Sequence, residues 1–242
     1  MSGISVIFQR EFKEATRSKA VLIFALVVAI AFPIVTFIIL KSQIHLNNSI
    51  DQLEVQELHP LIIAFLLESI ILATMVTATS SASSFAGERE HGTLEALLLA
   101  PISESAIFVG KVLAHVLLGV ILCCVTILSS RFASIIFISS RYKPYSIGFM
   151  LVLALLSLVL STFVVGICTI ISTRAKSTRI AQQLSTLVMF PVLIANVLAT
   201  NWVGHISIPH LLFMILGIGC IDAFILYFGA TQWRTVNIIF RV

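Results

Sequence analysis

The sequence predicts an all-α polytopic membrane protein, and three observations carry that prediction. Of its 242 residues 59% are hydrophobic and 11% charged, where a soluble globular domain is about a quarter charged. Apolar runs of roughly 20 residues, long enough to cross a hydrocarbon core as a helix, recur along the whole length. Lys and Arg fall between those runs and are denser on alternate sides. No stretch is left large enough to bury a separate soluble core, so residues 1–242 are read as a single membrane domain. The net charge of +4 forms no patch interleaved with aromatics, and no nucleic-acid partner is expected.

The first element is an amphipathic helix expected over about 3–18. Ile4, Ile7, Phe8, Phe12 and Ala15 recur at helical spacing, and Gln9, Arg10, Lys13, Glu14 and Arg17 take the opposite face. Such a helix lies on the inner membrane surface. Six spans follow, at about 20–40, 60–84, 106–130, 146–171, 181–200 and 209–230. Pro60, Pro101, Pro144 and Pro209 sit between them, where a helix starts or a preceding one breaks. Pro33 and Pro191 lie inside the first and fifth spans and are expected to kink them.

Within the second span, Thr74 to Ser84 is rich in Ser, Thr and Ala, which lets helix backbones approach closely. Cys123, Cys124, Cys168 and Cys220 all fall in apolar runs without metal or redox spacing, and are expected to be free core thiols. No metal site is expected.

Orientation follows from the positive residues. Arg10, Lys13, Arg17, Lys19, Arg89, Arg174, Lys176, Arg179, Arg234 and Arg241 fall on one side; Lys41, Arg131, Arg141 and Lys143 fall on the other. This places both termini in the cytoplasm. Lys111, near the inner end of the third span, is expected to snorkel to the interface. Glu68, His115 and Asp222 lie at membrane depth, where an unpaired charge is costly. They are candidates for a polar translocation path, with paired structural groups as the competing reading; Asp222, mid-span with no basic residue in its own span, is the better functional candidate.

The most informative stretch lies between the second and third spans, at about 85–104, and includes Gly87-Glu88-Arg89-Glu90-His91-Gly92-Thr93-Leu94-Glu95-Ala96-Leu97-Leu98-Leu99-Ala100-Pro101-Ile102-Ser103. Gly92 permits a tight turn, Thr93 can cap a following helix, and Ala100-Pro101 stops that helix after about two turns. Leu94, Leu97 and Leu98 share one face, and Glu88, Glu90 and Glu95 rim it with acid. Such a projection suits a partner protein's grip. Packing back onto its own bundle is the alternative.

This pattern, with Gly110-Lys111 in the next span, resembles the signature of ABC-2 type transporter permeases; Ser172-Thr173-Arg174-Ala175-Lys176-Ser177 looks like that family's second cytoplasmic contact. The resemblance implies a type V exporter fold with a coupling helix after the second span that docks on a separate ATP-binding subunit. Glu88, Arg89, Glu90, Gly92, Thr93, Leu94, Glu95, Leu97, Leu98, Arg174 and Lys176 would then form the ATPase-coupling surface. It further implies two copies of the ATPase, a second permease copy as homodimer or heterodimer, surrounding lipid, and a prokaryotic plasma membrane.

No Gly-x-x-x-x-Gly-Lys-Ser/Thr phosphate cradle occurs in the chain. It is therefore expected to be a transport subunit and no enzyme, binding no cofactor itself, with ATP and Mg2+ held by the partner. An ion-coupled secondary transporter using Glu68 and Asp222 is the alternative. An intramembrane enzyme is a weaker one, since the spans carry no His-Glu-x-x-His or comparable catalytic pattern.

Overall fold

A computed structural model describes the backbone of residues 3–17, 19–46, 55–137, 146–200 and 208–239. These form α1 (Gly3–Arg17), α2 (Lys19–Leu46), α3 (Val55–Glu90), α4 (Leu94–Leu98), α5 (Glu104–Phe137), α6 (Ile147–Arg174), α7 (Thr178–Thr200) and α8 (Ile208–Ile239), with no strand among the described residues. Arg141, Lys143 and Arg241, used in the orientation count, lie outside them.

Five helices are long and apolar enough to cross a membrane among the described residues: Leu22–Ser42, Ile63–Glu90, Glu104–Phe137, Ile147–Arg174 and Leu211–Thr231. The expected span at 181–200 falls in α7, whose side chains are described only through Ile194. Large apolar side chains such as Phe24, Ile136, Leu151 and Phe213 point outward from four of the five. So extensive an apolar exterior suits a lipid solvent.

The helices α3 and α5 are the centre of the bundle. The first packs on α5, α6 and α7, and the second also on α1, α2 and α6, while α8 closes on α6 and α5. Small side chains line the contact of α3 with α6. Ala78, Ser81 and Ala82 of α3 are fully buried, and Ser81 Oγ lies 2.9 Å from Thr169 Oγ1 of α6. The Ser/Thr/Ala stretch is thus a packing face, as its composition predicts.

Three details differ from the sequence expectation. The chain does not leave its helix at residue 85, since α3 continues to Glu90. Phe85 and Ala86 are fully buried there, and Gly87 keeps helical backbone, so the chain turns only at Gly92, the glycine with positive φ. Next, α1 is held by protein along part of its length: Ile7 is buried against α5 at Gly110. A Cβ added to Gly110 would stand 2.9 Å from Ile7 Cβ, so only glycine allows this approach. Finally, the cysteines are free as expected, but only Cys123 and Cys168 are buried; Cys220 is exposed on α8.

Candidate functional site

The site grows out of the end of the bundle where α3 stops and α4 begins. Glu88, Arg89 and Glu90 occupy the last turn of α3. Acidic side chains are disfavoured at a helix C-terminus by the backbone dipole, so two carboxylates here need partners. Glu88 finds them across the bundle: Arg10 Nη2 of α1 donates to its Oε1 at 3.2 Å, and Lys111 Nζ of α5 stands 3.2 Å from its Oε2. Glu90 finds them at the start of α7, accepting from Thr178 N at 3.2 Å and Thr178 Oγ1 at 2.7 Å. At that helix N-terminus negative charge is favoured.

Arg89 serves the opposite end of a helix. Its guanidinium donates to Ala175 O at 2.5 Å and Thr173 O at 2.6 Å, the carbonyls where α6 ends. A cation over those carbonyls meets both their hydrogen-bonding need and the dipole. Ser172 Oγ adds bonds from Phe85 N and Ala86 N, both at 3.0 Å. Consecutive residues of α3 therefore clasp both sides of the junction between α6 and α7.

Lys111 is the buried centre. Its ammonium is 1% exposed, donates to Glu11 Oε1 at 2.7 Å and Ser84 Oγ at 3.0 Å, and lies 4.8 Å above the Phe85 ring. The expected snorkelling does not occur, because two carboxylates and an aromatic face solvate the charge locally. Glu11, 5% exposed, is a residue that sequence reasoning missed. Its signal was faint: an acid beside the apolar stripe of α1 reads as surface until a buried lysine is placed against it.

The turn Glu90–Thr93 has Gly92 at φ 68°, the left-handed conformation expected there. Thr93 does not cap α4; its Oγ1 turns back to Glu88 O at 3.3 Å. The short helix has two unlike sides. Leu97 is buried, with Leu94 and Leu98 packed against the same cluster as Ile7, Phe85, Ile107 and Phe108. The apolar face that the sequence offers to a partner thus rests on the bundle itself, whereas Glu95 and Leu99 are exposed, the latter 83%. Arg174 and Lys176 are exposed beside the carbonyls that Arg89 binds.

The three membrane-depth candidates are not brought together by any hydrogen bond or ion pair among the described residues. His115 is buried one turn from Lys111, and its Nδ1 donates to Lys111 O at 2.9 Å. Glu68 is half-buried on α3. Asp222 is 6% exposed on α8, and its Oδ1 has no hydrogen-bond partner among the described residues.

A family model described as ABC-2 family transporter protein matches residues 5–215, a range that contains most of α1, the α3–α4 turn and the α6–α7 junction. No curated protein matches the chain.

Proposed function

Since the chain belongs to the ABC-2 transporter family, we propose that it is the permease subunit of an ATP-driven exporter, with ATP and Mg2+ held by a separate ATP-binding subunit. Two permease copies and two ATPase copies assemble, both termini face the cytoplasm, and α7 supplies the fifth expected span, which completes the six. The substrate crosses by alternating access.

One observation carries this reading. The segment between the second and third expected spans exposes Glu95 and Leu99 while its neighbours Arg89 and Glu90 are hydrogen-bonded to the α6–α7 junction. A partner that pushed on α4 would move the end of α3 and, through those bonds, the start of α7. Arg174 and Lys176, exposed on the same junction, widen the docking surface. Glu88, in contrast, acts within the permease, because its carboxylate is turned toward Arg10 and Lys111.

The test is co-purification from native membranes in mild detergent. A P-loop ATPase that accompanies the wild-type chain and is lost on Glu95→Lys with Leu99→Asp supports the permease reading and the docking surface. No ATPase in either preparation would sink it.

A further inference from the structure

Pro33 is buried in the interior of α2. Having no N–H, it cannot make the helical bond to Ala29 O, and its ring presses against that carbonyl. Ala29 is 1% exposed, so water cannot fill the gap. The donor comes from another helix: Ser129 Oγ of α5 donates to Ala29 O at 2.9 Å. A neighbouring hydroxyl is one of the few groups that can do this inside a membrane.

The same hydroxyl also lies 2.9 Å from Thr126 O, one turn back in its own helix. It has a single proton for these two acceptors. Thr126 O lies inside α5, where the Ser130 N–H supplies it by the ordinary helical bond. Ala29 O therefore has the greater need while α2 is seated. When α2 shifts, the hydroxyl falls back on Thr126 O, so release strands no donor and costs one hydrogen bond to a carbonyl.

The half of α2 free to shift lies beyond Pro33. Its near half is anchored, because α2 begins two residues after α1 ends and α1 is held to α5 by the Glu11–Lys111 pair. Beyond Pro33, Phe37 and Leu40 are buried in one apolar cluster with Ile127 and Ala133 of α5. At the far end Lys41 Nζ lies 6.0 Å from the centroid of the Phe137 ring, the outer limit of a cation–π contact. No ion pair among the described residues holds this half.

We propose that α2 hinges at Pro33 with the Ser129 hydroxyl as its latch, so that residues 34–41 swing off α5 and open the end of the bundle away from the α3–α4 turn. Its use as the exit gate of a transport cycle rests on the permease reading above; the hinge itself does not.

The test places spin labels at Ile39→Cys and Leu151→Cys, exposed positions on α2 and α6, in a full chain that also carries Cys124→Ala and Cys220→Ala. Pulsed electron resonance in nanodiscs reads the distance distribution. Ser129→Ala should raise the share of a second, longer distance about fivefold, the equivalent of one net hydrogen bond. Adding Pro33→Ala should abolish that rise, since an N–H at residue 33 bonds Ala29 O and leaves the latch without a task. If Ser129 served packing alone, its substitution would act equally with either residue at 33. An unchanged distribution in Ser129→Ala, or a second distance that persists with Pro33→Ala, would overturn the hinge. In the complex with a co-purified ATPase, a non-hydrolysable ATP analogue should populate the longer distance with Ser129 and Pro33 intact. A complex that binds the analogue without that change would overturn the exit gate. If no ATPase co-purifies, the permease reading fails, while the comparison of the two variants still decides the hinge.

Discussion

Lys111 Nζ and Glu11 Oε1 stand 2.7 Å apart although 100 residues separate them in the chain, and both side chains are nearly withdrawn from solvent. Removing one partner of such a pair leaves an uncompensated charge, at a cost of about 3–5 kcal/mol. Lys111→Met should therefore lower the apparent unfolding midpoint of the detergent-solubilised protein sharply. Adding Glu11→Gln and Glu88→Gln to it should recover much of the loss, because the pair itself contributes far less than its disruption costs. A triple variant no better than Lys111→Met would show that the lysine matters for packing alone.

Gly110→Ala tests the seat of α1. The new methyl would meet Ile7 Cβ at 2.9 Å and Ile4 O at 3.2 Å, backbone included. Overpacking of this kind costs about 1–3 kcal/mol, and α1 should respond by detaching. Hydrogen exchange over residues 3–17 should speed up while the amides of α6 keep their protection; unchanged exchange in α1 would refute the close contact.

Leu97→Asp and Leu99→Asp should behave oppositely despite their near adjacency. The first puts a carboxylate into the cluster of Ile7, Phe85 and Phe108 and should reduce the yield of folded protein. The second alters a side chain 83% exposed and should leave folding intact while weakening ATPase association. Folded-protein yield from size-exclusion chromatography and co-purification of the ATPase separate the two effects.

Arg89→Ala removes both bonds to the end of α6. The expected outcome is an assembled complex that hydrolyses ATP but transports poorly, with Arg89→Lys recovering only part, since an ammonium cannot bridge two carbonyls as a planar fork does. Paired assays of hydrolysis and transport in proteoliposomes check this. Equal losses in both would place Arg89 at the ATPase contact itself.

Asp222→Asn should impair transport while hydrolysis by the assembled complex persists. Its buried Oδ1 has no hydrogen-bond partner among the described residues, a costly state to maintain unless the group is used. Normal transport in the variant would return Asp222 to a structural role.

Five of the six expected spans, the amphipathic N-terminal helix and the glycine turn were legible in the sequence because each depends on local chemistry: run length, helical spacing, and the freedom of Gly92 at positive φ. What escaped depended on partners far away in the chain. Lys111 reads as an interface lysine until Glu11 and Glu88 are set beside it, and Glu88 reads as a partner-facing acid for the same reason. The apolar face of α4 illustrates a second limit. Amphipathicity tells that Leu94, Leu97 and Leu98 will be covered, but the identity of the cover, here the protein's own cluster, is a tertiary fact. Arg89 and Glu90 were recognised as belonging to the important segment, yet their service to the ends of α6 and α7 needed the juxtaposition of loops more than 80 residues apart.

The 100-residue reach between Glu11 and Lys111 also orders events during synthesis. Glu11 is made before α2 and α3, whereas Lys111 follows them, within a helix long and apolar enough to cross a membrane. Until they meet, α1 has no seat and Lys111 lacks one of the two carboxylates that pair with it, which leaves its charge more costly to insert. A chain deprived of α1 is therefore expected to insert its third expected span less efficiently than its first.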